Sequence, residues 1–193
     1  MKSKPYLEAM RTDKLTTRFQ QALADAQSLA VGRDHPAIEP AHLMQALLNQ
    51  SDGGTLPLLA QGGVNTDLLS SKLTQILERL PKLTENSGEI SVGSELSRVL
   101  NLCDKLAQQK KDSFISTELF LLAAVEDKGE LGKVLREAGA KQDLLVRAIE
   151  AMRGGQKADS VGAEEQRQAL EKYTIDLTAR AAAGKLDPVI GRD

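Results

Sequence analysis

Apolar residues recur at helical spacing along most of the chain, and the same spacing occurs twice. From position 15 the apolar residues stand at 15, 19, 22, 23, 26, 29 and 30, which places them on one face of a helix. A second set, at positions 96, 99, 100, 103, 106 and 107, repeats this stripe 77 residues further along, as from 19 to 96. Because a repeated pattern identifies the folding unit, we interpret the chain as one helical block that is used twice.

Each block continues with three further helices. The second helix would begin near Pro40 in the first block and near Ser116 in the second, since proline suits the first helical position and serine the N-cap. A short third helix would stop at Gly62 and at Gly139, and a fourth would end near positions 80 and 152. We expect the same offset to hold here without a gap, so that Gly62 matches Gly139, and we expect no strand.

The predicted fold class is all-α, with eight helices in two pseudo-symmetric four-helix repeats. Repeat 1 would cover about residues 12–80 and repeat 2 about residues 92–152. One block alone would leave a broad apolar face in water. Packing the two blocks against each other about an approximate two-fold axis buries both faces.

The chain outside the repeats divides into three segments. Residues 1–9 lack periodicity, which indicates an extension or a cloning scar before a repeat domain at 10–152. Residues 153–163 are rich in glycine and polar residues, which predicts a flexible linker. Helical spacing returns in 164–193, which we interpret as a helical tail and the truncated start of a further domain.

The composition argues against nucleic acid or a membrane as a partner. The net charge is −2 and there is no tryptophan, so the chain has neither an overall positive field nor a supply of aromatic rings for base stacking. No apolar run approaches the ~20 residues of a membrane-spanning helix. Without a visible signal-peptide pattern, a cytoplasmic location is the default interpretation.

No residue pattern points to catalysis. A phosphate-binding loop needs glycine, four residues, then Gly-Lys and a hydroxyl residue, and neither Gly132-Lys133 nor Gly184-Lys185 has that context. His35 and His42 have no cysteine partners at zinc spacing. The chain itself is therefore predicted to bind a partner rather than to catalyse, with no metal and no cofactor of its own. An enzyme with an unrecognised site is the weaker hypothesis.

Particular segments of the chain resemble those of the Clp/Hsp100 AAA+ proteins. Residues 10–152 are similar to the N-terminal domain of that family through Leu15-Thr16, Ala24-Asp25-Ala26-Gln27, Ile38-Glu39-Pro40, His42-Leu43, Phe114-Ile115-Ser116 and Glu118-Leu119. The sequence at 172–178 and 186–193 resembles the entry to the first ATPase ring of the disaggregase branch. That tail favours the disaggregase branch over the protease-coupled one.

The resemblance implies a substrate-recognition domain of an ATP-dependent protein disaggregase. Such a domain would bind unfolded or aggregated polypeptides and pass them to ATPase rings, which would lie outside this chain together with their ATP and Mg²⁺. It also implies a hexameric parent protein and a DnaK-type chaperone that docks on an absent middle domain, whereas the isolated chain would be a monomer. The alternative is an adaptor-docking domain of a protease-coupled Clp ATPase, which would bind a folded partner.

Three residues match family positions that are linked to substrate handling, namely Thr16, Asp112 and Glu118. Each also has an ordinary interpretation, as an N-cap for Thr16 and as favourable charge at a helix N-terminus for the two acids. Leu119 stands where the first block has His42 and lies just off the predicted buried face. We therefore predict a shallow apolar groove at the junction of the blocks, including Leu119 and edged by the other three. The alternative is that Leu119 belongs to the core.

Overall fold

Eight α-helices form two sets of four in the part of the chain that the computed structural model describes, residues 12–85 and 90–170. Repeat 1 contains α1 (Thr17–Gly32), α2 (Pro40–Asn49), α3 (Thr55–Gln61) and α4 (Thr66–Arg79). Repeat 2 contains α5 (Ser94–Lys110), α6 (Thr117–Glu126), α7 (Glu130–Glu137) and α8 (Gln142–Arg153). A short 3-10 helix, Thr12–Lys14, precedes α1, and a further helix, α9, covers residues 163–170. The predicted fold class is confirmed. The predictions for residues 1–9 and 171–193 lie outside the described residues.

The apolar stripes of α1 and α5 match residue for residue. The buried residues of α1 are Phe19, Ala22, Leu23, Ala26 and Ala30, and those of α5 are Leu96, Val99, Leu100, Cys103 and Ala107. Each pair is separated by the predicted 77 positions. Burial raises the pKa of the Cys103 thiol well above its ordinary value, so this cysteine is a packed core residue and not a reactive one.

Two short parallel pairings join the repeats and reveal their symmetry. Strand β1 (Ala37–Ile38) pairs with β2 (Ser91–Val92), so that Ile38 lies opposite Val92. An isolated parallel bridge joins Leu15 to Ile115. The 77-residue offset converts the first pair into the second, as a two-fold axis between the blocks requires. The expectation of no strand is therefore wrong, because two-residue strands are too short to show an alternating pattern.

The core is continuous across the two repeats. Helix α1 packs on α2 and α5 packs on α6, while α3 crosses to α8 and α4 crosses to α7. At the centre the rings of Phe19 and Phe120 meet edge to face, with centroids 6.4 Å apart. Each block thus covers the apolar face that the other would leave exposed.

The repeats do not align without a gap beyond the second helix. Gly63 and Gly139 are the equivalent glycines, since both have positive φ (91° and 105°) and each faces the other's carbonyl oxygen. The backbone hydrogen bonds from Asn65 N to the Ala138 carbonyl and from Lys141 N to the Gly62 carbonyl follow the same symmetry. The offset is therefore 76 here, and the match of Gly62 with Gly139 is wrong by one residue. The cause is that the loop after α6, residues 127–129, is two residues shorter than the loop after α2, residues 50–54, while α7 is one residue longer than α3.

Candidate functional site

The first turns of α1 and α6 lie side by side at the junction of the repeats. Thr16 N donates to the Ile115 carbonyl (3.0 Å) and Ile115 N donates to the Lys14 carbonyl (2.7 Å), which ties the two segments together just before each helix begins. Thr16 caps α1, since its hydroxyl accepts a hydrogen bond from Phe19 N (3.3 Å). We call Thr16, Asp112, Ser116, Thr117 and Glu118 the junction site. Thr16, Asp112 and Glu118 are three of the four site residues that were predicted from the sequence.

Arg153, the last residue of α8, connects the two predicted acids. Its Nε donates to Glu118 Oε2 (2.9 Å), its Nη1 to Asp112 Oδ1 (3.0 Å) and its Nη2 to Ser116 Oγ (3.0 Å). The side chains of Arg153, Asp112 and Glu118 are 8%, 0% and 1% exposed. Burial works to lower the pKa of Arg153, but the hydrogen bond that Arg153 donates to Asp112 and the charges of Glu118 and Asp112 outweigh burial and raise that pKa.

Glu164, in the first turn of α9, brings Thr16 and α6 together. Its carboxylate accepts hydrogen bonds from the hydroxyls of Thr16 and Thr117 and from the backbone N–H of Thr117 (3.2 Å). A carboxylate at the start of α6 is favoured by the positive end of the helix dipole. Burial and the nearby charge of Glu118 nevertheless raise the pKa of Glu164 to about 6, because both disfavour the ionised form.

The raised pKa of Glu164 predicts a pH-dependent contribution to stability. The pKa in the folded chain lies above the ordinary 4.5, so the folded state takes up a proton before the unfolded chain does. The contribution is fully present below about pH 4.5 and is lost as the pH rises through about 6. Relative to Glu164→Gln, the chain should gain unfolding free energy as the pH falls from 7 to 4.5, by on the order of 2 kcal/mol at most. Urea denaturation of both proteins across this range measures the difference, and parallel pH curves for the two would contradict the assignment.

The residues between α8 and α9 lie against the junction site. Phe114 N donates to the Ala158 carbonyl (2.9 Å) and Thr17 N to the Val161 carbonyl (2.8 Å). Ala158 N donates to Asp112 Oδ1 (3.1 Å), and Ala158 is completely buried. Residues of the predicted linker, 153–163, thus make hydrogen bonds to both repeats. A segment rich in glycine and polar residues is predicted to be solvated. Hydrogen bonds between residues more than 40 positions apart cannot be predicted from the local sequence. The domain boundaries themselves stay a prediction.

Helix α9 adds two side-chain contacts to the same face. Arg167 Nη2 donates to Glu118 Oε2 (3.3 Å), and Arg18 Nη2 donates to Gln168 Oε1 (2.6 Å). Beside them, an open cleft of about 560 Å³ is lined by residues of α3, of the C-terminal end of α8 and of α9, including Pro57, Leu58, Met152 and Leu170. Leu170 is 68% exposed. The charged junction site therefore has an apolar cleft as its neighbour.

Leu119 does not line a groove, and the prediction that it is exposed is wrong. It is 0% exposed and belongs to the core. Helix α6 is buried on all sides, from Thr117 to Val125, because repeat 1, α5, α7 and α8 surround it. A helix without a solvent face gives no periodic signal from which one apolar residue could be distinguished as exposed. Whether Thr16, Asp112 and Glu118 bind substrate stays a prediction.

Sequence reasoning missed Arg153, Glu164 and Thr117. A basic residue at the end of a helix is ordinary, because it complements the helix dipole, so Arg153 gave no sign of burial. Glu164 is one of two adjacent glutamates in a charged segment, and only tertiary contacts distinguish it from Glu165. A residue separation of 148 between Glu164 and Thr16 is beyond any local pattern.

Gly132-Lys133 does not form a phosphate-binding loop. Gly132 lies inside α7, and a Cβ there would come 2.0 Å from the Asp127 carbonyl oxygen, so this glycine permits close packing of backbone rather than phosphate binding. Within residues 12–85 and 90–170, no group of three or more histidine, cysteine, aspartate or glutamate residues could hold a metal ion. In the same ranges no helix is both long enough and apolar enough to cross a membrane.

Comparison with known proteins identifies the family. Residues 14–138 match the Clp repeat (R) N-terminal domain. The chain belongs to this family. Chaperone protein ClpB of Vibrio cholerae is 55% identical over 184 residues, which is 95% of this chain and 22% of the relative.

Solved structures of Clp N-domains share the fold. The Hsp104 N-terminal domain from Candida albicans matches with a TM-score of 0.69 at 24% identity, over 78% of this chain and 99% of that one. The complex of the ClpV N-domain with a VipB peptide matches with a TM-score of 0.58 at 19% identity, over 78% of this chain and 90% of that one. At such identities the likeness establishes the fold alone. The chain spans about a fifth of the length of the curated ClpB relatives that it matches.

Proposed function

We propose that this Clp repeat domain recognises unfolded or aggregated polypeptides for an ATP-dependent disaggregase of the ClpB type. In this proposal the parent protein is a hexameric AAA+ ATPase of the cytoplasm that cooperates with a DnaK-type chaperone. The sequence identity to ClpB over nearly the whole chain supports it. The ATPase activity would reside in rings outside this chain.

One observation carries the proposal: the junction site holds a stretch of polypeptide that forms neither helix nor strand. Residues 158–161 are bound there through backbone N–H groups of Phe114 and Thr17, which donate to backbone carbonyls. Every unfolded chain offers such carbonyls whatever its sequence, so this mode of binding suits a domain that must accept many clients. The apolar cleft beside it, with Pro57, Leu58 and Met152, suits the apolar side chains that unfolding exposes.

The test compares the same client with and without its fold. Fluorescein-labelled α-lactalbumin should bind to the chain when it is reduced and carboxymethylated, and native α-lactalbumin should bind at least about tenfold more weakly, since only the unfolded form offers extended backbone. Fluorescence anisotropy gives the affinities. Equal affinity for both forms would contradict the proposal.

NMR locates the binding surface in the same experiment. The amide signals of Thr17 and Phe114 should shift when the unfolded client is added, while those of residues on the far side, such as Ser28 and Gly32 at the other end of α1, should stay in place. Shifts confined to the far side would remove the junction site from client binding.

The second candidate is an adaptor-docking domain. The observation in its favour is that a ClpV N-domain of the same fold forms a complex with a defined peptide of VipB. If a folded adaptor protein displaces the unfolded client, and the client alone binds only weakly, adaptor docking becomes the better description. Binding of the unfolded client without any adaptor favours substrate recognition.

A further inference from the structure

The junction site is filled by the chain's own residues 158–168. We propose that this segment is an internal occupant of the client-binding surface, and that a client binds by displacing it. The client would match the occupant's chemistry: a non-helical stretch with one small side chain, followed six residues further on by a carboxylate, as in Ala158 and Glu164. This inference rests on the proposed function, because it names the kind of segment that the same site takes.

The non-helical part of the occupant is recognised through backbone atoms. Thr17 is the first residue of α1 and Phe114 precedes the bridge at Ile115, so neither N–H group has an acceptor within a helix. The carbonyls of Val161 and Ala158 supply the acceptors. The side chain of Ala158 is enclosed completely, which limits the client to a small residue at this point.

The helical part of the occupant is recognised through charge. Two threonine hydroxyls and one backbone N–H converge on the Glu164 carboxylate at the start of α6, an arrangement of donors that fits a carboxyl group. One turn further on, Arg167 donates to Glu118. A client that presents a carboxylate and, three residues later, a basic side chain would reproduce both contacts.

The occupant is held mainly by polar contacts, so it can be displaced. Among residues 154–170, only Ala158 and Glu164 are buried. Its two large apolar side chains stay outside, Val161 at 43% and Leu170 at 68% exposed. Segments that bury little apolar surface are the ones that open at low free-energy cost. The buried core cluster, by contrast, consists only of residues between Leu15 and Ile149, so it contains no residue of this segment.

The test releases the occupant without changing the surface that it covers. Glu164→Ala and the double change Glu164→Ala with Arg167→Ala remove its two charged contacts. The affinity for unfolded, carboxymethylated α-lactalbumin should then rise about tenfold if the site is open in about one molecule in ten before the change, since apparent affinity scales with the open fraction. Hydrogen exchange should show faster exchange of the Thr17 and Phe114 amides. Glu165→Ala is the matched control, because it removes a carboxylate from the same turn of α9 while Glu164 keeps its partners.

A substitution on the surface that the segment covers provides an independent test. Thr17→Pro removes one N–H donor at a first helical position, where proline is tolerated, and Thr16 already has the extended backbone (φ −62°, ψ 158°) that a following proline requires. In the Glu164→Ala background it should lower client affinity, and Thr17→Ala should not. A peptide with the sequence of residues 156–170 should compete with the client, and the same peptide with positions 164 and 167 exchanged should compete less.

The outcomes separate this inference from the proposed function. Faster amide exchange together with unchanged client affinity in Glu164→Ala overturns the inference and leaves client binding intact. If the Thr17 and Phe114 amides exchange at unchanged rates in Glu164→Ala and in the double variant, the segment is not displaceable, and this result also overturns the inference. Absence of client binding by every variant, including the released ones, rejects the proposed function itself.

Discussion

Replacing Arg153 by alanine should lower the free energy of unfolding by about 3–5 kcal/mol. The change leaves the carboxylates of Asp112 and Glu118 buried without their shared partner, and removal of one member of a buried ion pair is costly because the other charge stays desolvated. Urea denaturation followed by circular dichroism measures the loss.

The matched control for Arg153 lies on the same helix. Arg147→Ala removes an exposed arginine whose pair with Asp143 is 3.8 Å long, and it should change the unfolding free energy by less than about 0.5 kcal/mol. Neutralising both acids in the Arg153→Ala background, with Asp112→Asn and Glu118→Gln, should recover part of the loss. A loss below about 1 kcal/mol for Arg153→Ala would mean that the cluster is open to water in solution.

Replacing Leu119 by serine should also be severe, at about 2–5 kcal/mol. The change removes a completely buried side chain from the middle of the core and places a hydroxyl there. The groove predicted from the sequence required the opposite result, a melting temperature that barely moves. The control is Leu68→Ser, because Leu68 is 38% exposed on α4 and should cost well under half as much. Equal and small losses of unfolding free energy in the two variants would show that Leu119 is exposed.

The repeat made most of the fold predictable. The apolar stripe of α1 recurs in α5 at a constant offset, and a helix with one buried face shows its orientation through that spacing. The offset failed only after α6, where the loop is shorter and no apolar residue marks the change. The parallel pairings of Ile38 with Val92 and of Leu15 with Ile115 could not be seen beforehand, since two residues have no period.

The candidate site was predictable only in part. Thr16, Asp112 and Glu118 do meet at the junction of the repeats, connected through Arg153 and Glu164. The prediction that Leu119 is exposed is wrong because α6 has apolar residues on all sides, so that position on this helix carries no information about exposure. For residues 153–163 the composition predicts a flexible linker, and it cannot show the contacts of this segment with the junction site.

By itself the sequence determined the two helical blocks and their pairing about an approximate axis, because a helix with one buried face has apolar residues at regular spacing. The family was indicated by particular segments that resemble it. Tertiary structure alone decided what covers the junction. The burial of Arg153, the convergence of Thr16 and Thr117 on Glu164 and the enclosure of Ala158 all depend on residues far apart in the chain. Such contacts depend on where the packed helices place these residues, so neither local spacing nor composition shows them.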